Sequence, residues 1–147
     1  MNRLWAARHN AYYAALGQRP GCRGFSTDVV VPISHLATIV EETRKDIDAS
    51  GLFGTIVGHV GDGNFHCIFP TNEDDENEVH EVQRLSDNVV KRALAVGGTC
   101  TGEHGIGMGK KKYMKPEFGA TTLGVMKTLK GSLDPNSIMN PGKVFDV

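Results

Sequence analysis

Leu52-Phe-Gly-Thr-Ile-Val-Gly-His-Val-Gly-Asp-Gly-Asn-Phe-His-Cys-Ile-Phe69 reads as two strand-like runs, Leu52 to His59 and Asn64 to Phe69, joined through Asp62-Gly63. Asp-Gly between apolar runs is a strong hairpin signal, because both central turn positions tolerate positive φ. With Asp62 and Gly63 as the turn, Gly61 faces Asn64, Val60 faces Phe65 and His59 faces His66. A four-residue turn is expected to leave that pairing unchanged. Directly opposed residues project from one face with Cβ atoms about 5 Å apart, near enough for two imidazoles to share an ion. Two histidines stacked on a sheet surface satisfy the same pattern, and the hairpin does not choose between these readings.

Working outward, Phe25 to Pro32 is β-branched, apolar and closed by proline, which predicts a further strand. Before it, Leu4, Trp5, Ala11, Tyr12, Ala15 and Leu16 carry helical spacing, ended by Gly17 and Pro20. A helix opens at Ser34, with Leu36, Ile39, Val40 and Ile47 on one face and Gly51 as its stop. The acidic stretch Asn72 to Glu78 leads into another, whose predicted core face is Val79, Val82, Leu85, Val89 and Ala93. Thr99 to Thr101 is predicted as a short strand, Ala120 to Ser132 as a helix, and Leu133 to Lys143 as successive turns. The order α-β-α-β-β-α-β-α predicts the α+β class: one domain over 1–147, an antiparallel sheet with helices packed on one face, and a C-terminal helical and turn segment.

With 147 residues, 39% of them hydrophobic, the chain can bury one modest core rather than two. A formal charge of −1 without a lysine or arginine block argues against a nucleic-acid surface. No segment approaches the roughly 20 apolar residues of a transmembrane span. Cys22, Cys67 and Cys100 lack CxxC spacing and read as free thiols.

The second segment rich in chemistry is Thr99-Cys-Thr-Gly-Glu-His-Gly-Ile-Gly-Met-Gly109. Two histidines and one glutamate, His59, His66 and Glu103, form a three-ligand set that leaves positions open for a substrate, as catalytic metal sites do. A solvated Glu-His turn is the competing interpretation of the loop. A Walker A loop would need glycine at His104 and serine or threonine at Lys111. The GxGxxG spacing of a dinucleotide fold is also missing.

Three motifs in order, Gly58 to His66, Thr101-Gly-Glu-His-Gly-Ile-Gly107 and Leu133-Asp-Pro-Asn-Ser-Ile-Met-Asn-Pro-Gly-Lys143, follow the opening Leu4-Trp-Ala-Ala-Arg8. Together they resemble the C-terminal domain of FAD-linked oxidases of the vanillyl-alcohol oxidase class, over essentially the whole chain. Within that class the resemblance is strongest to D-2-hydroxyacid dehydrogenases of the D-lactate type, with the 2-hydroxyglutarate and glycolate enzymes as relatives. It implies a ferredoxin-like cap fold, FAD as cofactor and a divalent ion, zinc or manganese, on His59, His66 and Glu103. It further implies that His104 sits beside the substrate C2 hydroxyl, Arg8 holds the substrate carboxylate, and Asn140 and Lys143 lie against the flavin. The dicarboxylate-oxidising relative carries lysine near Ser26 and asparagine near Ile68, so the uncharged pair here implies a short aliphatic 2-hydroxyacid.

The resemblance also implies a preceding flavin domain of about 200 residues as partner, an electron acceptor such as cytochrome c or an electron-transfer flavoprotein, and a mitochondrial location. On this reading Met1 is an internal or alternative start, and the chain alone does not oxidise lactate. Two readings from other classes remain: a metal-dependent hydrolase, for which the tail Asn140 to Lys143 has no use, and a catalytically silent metal-binding module.

Overall fold

The computed structural model describes residues 2–146; Met1, Val147 and the side chains of Asn2, Arg3 and Leu4 lie outside the described residues. The elements are α1 (Asn2–His9), α2 (Ala11–Gly17), β1 (Arg23–Ser26), β2 (Val29–Val30), α3 (Ile33–Ser50), β3 (Thr55–His59), β4 (Asn64–Thr71), α4 (Glu76–Ala95) and α5 (Lys111–Leu133). A 3₁₀ turn, Val60–Asp62, joins β3 to β4. The class is α+β, as expected. Among the described residues no helix is long and apolar enough to cross a membrane.

Strand β4 organises the molecule. It pairs antiparallel with β3 along one edge and with β1 and β2 along the other, and every one of its residues is buried. Because strand side chains alternate, its two faces do different work. Phe65, Cys67 and Phe69 join Val29, Leu36, Ile39, Ile47, Val82, Leu85, Val89 and Ala93 in a continuous apolar core with α3 and α4. Each such fully buried large side chain stabilises the fold by about 1.5–3 kcal/mol. The alternate residues His66 and Ile68 face the other way, into a cleft that Arg8 and Tyr12 of α1 and α2 also line. The expected single helical face is therefore only part of the arrangement: α3 and α4 cover one face of the sheet, and α1 and α2 lie against the other.

Several local expectations change. The predicted helix from Leu4 to Leu16 is two helices broken at Asn10. The predicted strand from Phe25 to Pro32 is interrupted at Thr27-Asp28, where the Thr27 hydroxyl, rather than a backbone carbonyl, accepts from Cys67 N–H at 2.8 Å. The Thr99–Thr101 strand shrinks to one bridge between Val30 and Thr99. Val79 is exposed, because the first turn of α4 overhangs the free edge of β1 and lines a groove with Phe25. Helix α5 begins at Lys111, well before Ala120; it runs through Pro116 and kinks at Gly119, whose φ is 75°. Gly51 ends α3 in the left-handed region, as expected, whereas α3 begins at Ile33, one residue before Ser34, and α4 begins inside the expected acidic loop, where Asp75 caps it by accepting from the backbone N–H groups of Asn77 and Glu78.

Burial pushes the Cys67 thiol up to about 11, and burial together with Glu117 pushes Cys100 up to about 12. Both are inaccessible, whereas Cys22 is half-buried. A thiol reagent at pH 8 is therefore expected to modify one cysteine rapidly in the native chain and all three in denaturant. Rapid native modification of Cys67 or Cys100 would contradict this packing.

Candidate metal and substrate site

His66 enters the site from the middle of β4 and His59 from the end of β3. Their register differs from the expectation. His59 stands opposite Asn64 and Val57 opposite His66, because the four residues 60–63 form the connection. The displacement is two residues, and with a side-chain period of two it leaves both histidines on one face as diagonal neighbours. Their ring centroids are 6.1 Å apart and nearly perpendicular. Gly63 makes the turn possible: its φ is 72°, and a Cβ there would run into the Val31 carbonyl oxygen.

Glu103 reaches the pair from the loop after Thr99. Its Oε1 lies 3.0 Å from His66 Nε2 and 3.7 Å from His59 Nε2. His66 Nδ1 donates to the Thr27 carbonyl at 3.1 Å, which places the proton on Nδ1 and leaves a lone pair on Nε2. A carboxylate oxygen facing an imidazole lone pair at 3.0 Å needs positive charge between them, a proton or a metal ion. Nitrogen, nitrogen and oxygen donors converging in this way suit a borderline divalent cation.

A second triad, Asp28, His66 and His104, also converges. Asp28 is a poor ligand there, because both its oxygens are already used. Oδ2 accepts from Thr101 Oγ1 and from the backbone N–H groups of Gly102, Glu103 and His104, at 2.8–3.0 Å. Oδ1 accepts from Asn64 Nδ2 at 2.8 Å. Burial alone would raise the Asp28 carboxyl, but these hydrogen bonds and the charge of Lys110 outweigh it and hold it well below the usual range. No sequence argument singled out Asp28; its one available signal was a charged residue inside an apolar strand, a placement that normally requires partners.

His104 stacks on His66, with centroids 5.0 Å apart and planes 11° from parallel. Arg8 is brought to the same place, but onto a histidine: its Nη2 lies 3.0 Å from His59 Nε2. A guanidinium can only donate, so in this arrangement it takes the lone pair that His59 would give to an ion. Between these groups and the sheet lies a cleft of about 320 Å³, floored by Val57, His66 and Ile68 and bordered by Ser26. Ser26 and Ile68 are directly opposed partners of β1 and β4.

Asn140 and Lys143 are not brought to the cleft. They line a separate cavity with Lys130, Pro141 and Phe145 near the end of α5. The tail is nevertheless tied to the histidine loop, since Val144 N–H donates to the Gly107 carbonyl at 2.7 Å.

Against known proteins, residues 1–144 match the family model described as FAD linked oxidases, C-terminal domain. The chain is 52% identical over 146 residues to the probable mitochondrial D-lactate dehydrogenase of Danio rerio, covering 99% of this chain and 29% of that protein. It is 46% identical over 142 residues to the mitochondrial D-lactate dehydrogenase [cytochrome] of Arabidopsis thaliana, covering 97% of the chain and 25% of that protein. The glycolate oxidase subunit GlcD of Bacillus subtilis is 34% identical over 142 residues, 97% of the chain and 30% of that protein. The chain thus spans between a quarter and three-tenths of the length of these relatives. With a match over nearly its whole length, and with the first two motifs meeting at one cleft, the chain belongs to the FAD linked oxidases, C-terminal domain family.

Proposed function

We propose that this chain is the substrate-side domain of a flavin-linked D-2-hydroxyacid dehydrogenase acting on D-lactate or a similarly short 2-hydroxyacid. One observation carries the reading. His66 Nε2 and Glu103 Oε1 meet 3.0 Å apart at the wall of a cleft that also presents Arg8 and the uncharged pair Ser26 and Ile68. His59, His66 and Glu103 would hold zinc or manganese, while exposed Asn140 and Lys143 offer an amide and a cation to a flavin held mainly by another part of the protein.

A divalent ion would supply Lewis acidity to the C2 hydroxyl, and the flavin a hydride acceptor. The chain's own side chains supply the rest. Arg8 binds the substrate carboxylate with a planar, two-pronged, permanently charged group, giving up His59 to do so. His104 takes the hydroxyl proton, a role suited to imidazole near neutral pH. Ser26 and Ile68 receive the short C3 end; a distal carboxylate there would be unpaired and cost several kcal/mol, about 1–3 or more. Mitochondrial location and reduction of a cytochrome are proposed from the names of the relatives.

The test is a chimera in which this chain replaces the matching segment of the Danio rerio relative. D-Lactate is expected to bleach its flavin absorbance, and His104→Ala to slow bleaching by about 100-fold or more. Arg8→Lys is expected to raise KM for D-lactate at least about tenfold. Flavin that is bound yet not reduced by any short 2-hydroxyacid would overturn the proposal.

A further inference from the structure

Thr27 and Asp28 interrupt the edge formed by β1 and β2, and each sends one group into the same cluster. The Thr27 carbonyl orients the His66 ring. The Asp28 carboxylate, with 0% of its side chain exposed, gathers three consecutive backbone N–H groups, those of Gly102, Glu103 and His104, together with the Thr101 hydroxyl. Lys110 closes the arrangement by donating to the Asp28 carbonyl at 2.8 Å. Three successive amides aimed at one oxygen leave the backbone little freedom, and Gly102 is required there because a Cβ would collide with the Asn64 amide.

We infer that Asp28 is a positioning residue, whose carboxylate folds Gly102–His104 over the sheet so that Glu103 and His104 face His66 before any ligand arrives. The inference rests on the reading of His59, His66 and Glu103 as metal ligands. It assigns Asp28 no contact with metal or substrate. Its oxygens are already satisfied by loop and strand donors, so its influence passes through the backbone of the residues on either side of Glu103. Replacing the carboxylate with an amide turns an NH₂ group, or a single weaker acceptor, toward four donors.

The test uses the 147-residue chain and two readouts, Co(II) affinity from calorimetry and visible absorption, and amide hydrogen exchange at Gly102, Glu103 and His104. Asp28→Asn is expected to weaken Co(II) binding about 10–100-fold. It should also speed exchange at those three amides by about tenfold or more while α3 and α4 exchange as in the parent. Thr101→Val, which removes one donor only, should move both readouts the same way by less, and it decides the question if Asp28→Asn does not fold. Asp46→Asn is the comparison, since Asp46 binds Arg84, Asn88 and Arg92 between α3 and α4 and has no partner in the loop. It should lower thermal stability without moving either readout. Parent-like affinity and exchange in Asp28→Asn, or the same changes in Asp46→Asn, would overturn the inference. If the parent binds no Co(II), the metal reading fails, and exchange at 102–104 alone judges Asp28; unchanged rates there would reject it.

Discussion

His66→Ala is expected to weaken divalent-metal binding by more than about 100-fold, since loss of an outer-shell partner alone costs about 10–100-fold and His66 would supply a bond to the ion itself. The size of the effect follows from its position. His66 is the buried member of the set, anchored in the central strand and oriented by the Thr27 carbonyl, so its Nε2 is the donor with least freedom to move. His59 and Glu103 are exposed and can be partly replaced by water. The variant also removes one of the two donors to the Thr27 carbonyl, leaving the Ser26 hydroxyl at 3.2 Å, so circular dichroism should accompany the calorimetric titration with Zn²⁺ or Mn²⁺. A well-folded variant with the parent's affinity would remove His66 from the ligand set.

Phe69→Ala is expected to destabilise the chain by about 3–5 kcal/mol, against a total stability for such domains of about 5–15 kcal/mol. Phe69 is fully buried and its ring fills the space left by Gly54, beside Ile47 of α3. Truncation would open a cavity toward the end of β4, where Phe69 pairs with Phe25 of β1 and packs into the apolar core with α3 and α4, so neighbours have little room to collapse into it. At about 2–4 °C per kcal/mol for a chain of this size, the melting temperature should fall by about 10 °C. A fall of less than about 3 °C in scanning calorimetry would show that this part of the core relaxes and that β4 is not its rigid centre.

What the residue pattern could and could not reveal follows from the range of the interactions involved. Helices α3 and α4 are legible because each carries a long apolar stripe, closed in α3 by Gly51, and these local signals agree with the packing. The hairpin is legible as a hairpin, but its register is set by the 3₁₀ turn and by the approach of Gly63 to Val31, a contact across sequence that no window reveals. The break at Thr27-Asp28 is likewise invisible locally, since its cause lies in Cys67 and in the loop after Thr101, more than 35 residues away. The first half of α5 is obscured by Pro116 and Gly119, residues that weaken helical signals, while its burial of Tyr113 and Met114 against the body outweighs them. His59, His66 and Glu103 were accessible because their residue types are chemically expensive to place together; Arg8 on His59 was not, because nothing in the spacing of α1 points at β3.

The four-residue connection between His59 and Asn64 carries an evolutionary consequence. Residues added within it can leave the His59–Asn64 pairing, and with it the shared side of both imidazoles, unchanged, whereas a one-residue slip of β3 against β4 would send His59 to the opposite side, toward the helices. Length variation in descendants of the chain should therefore be tolerated within the turn and eliminated within β3, where one added residue would reverse the facing of the strand beyond it.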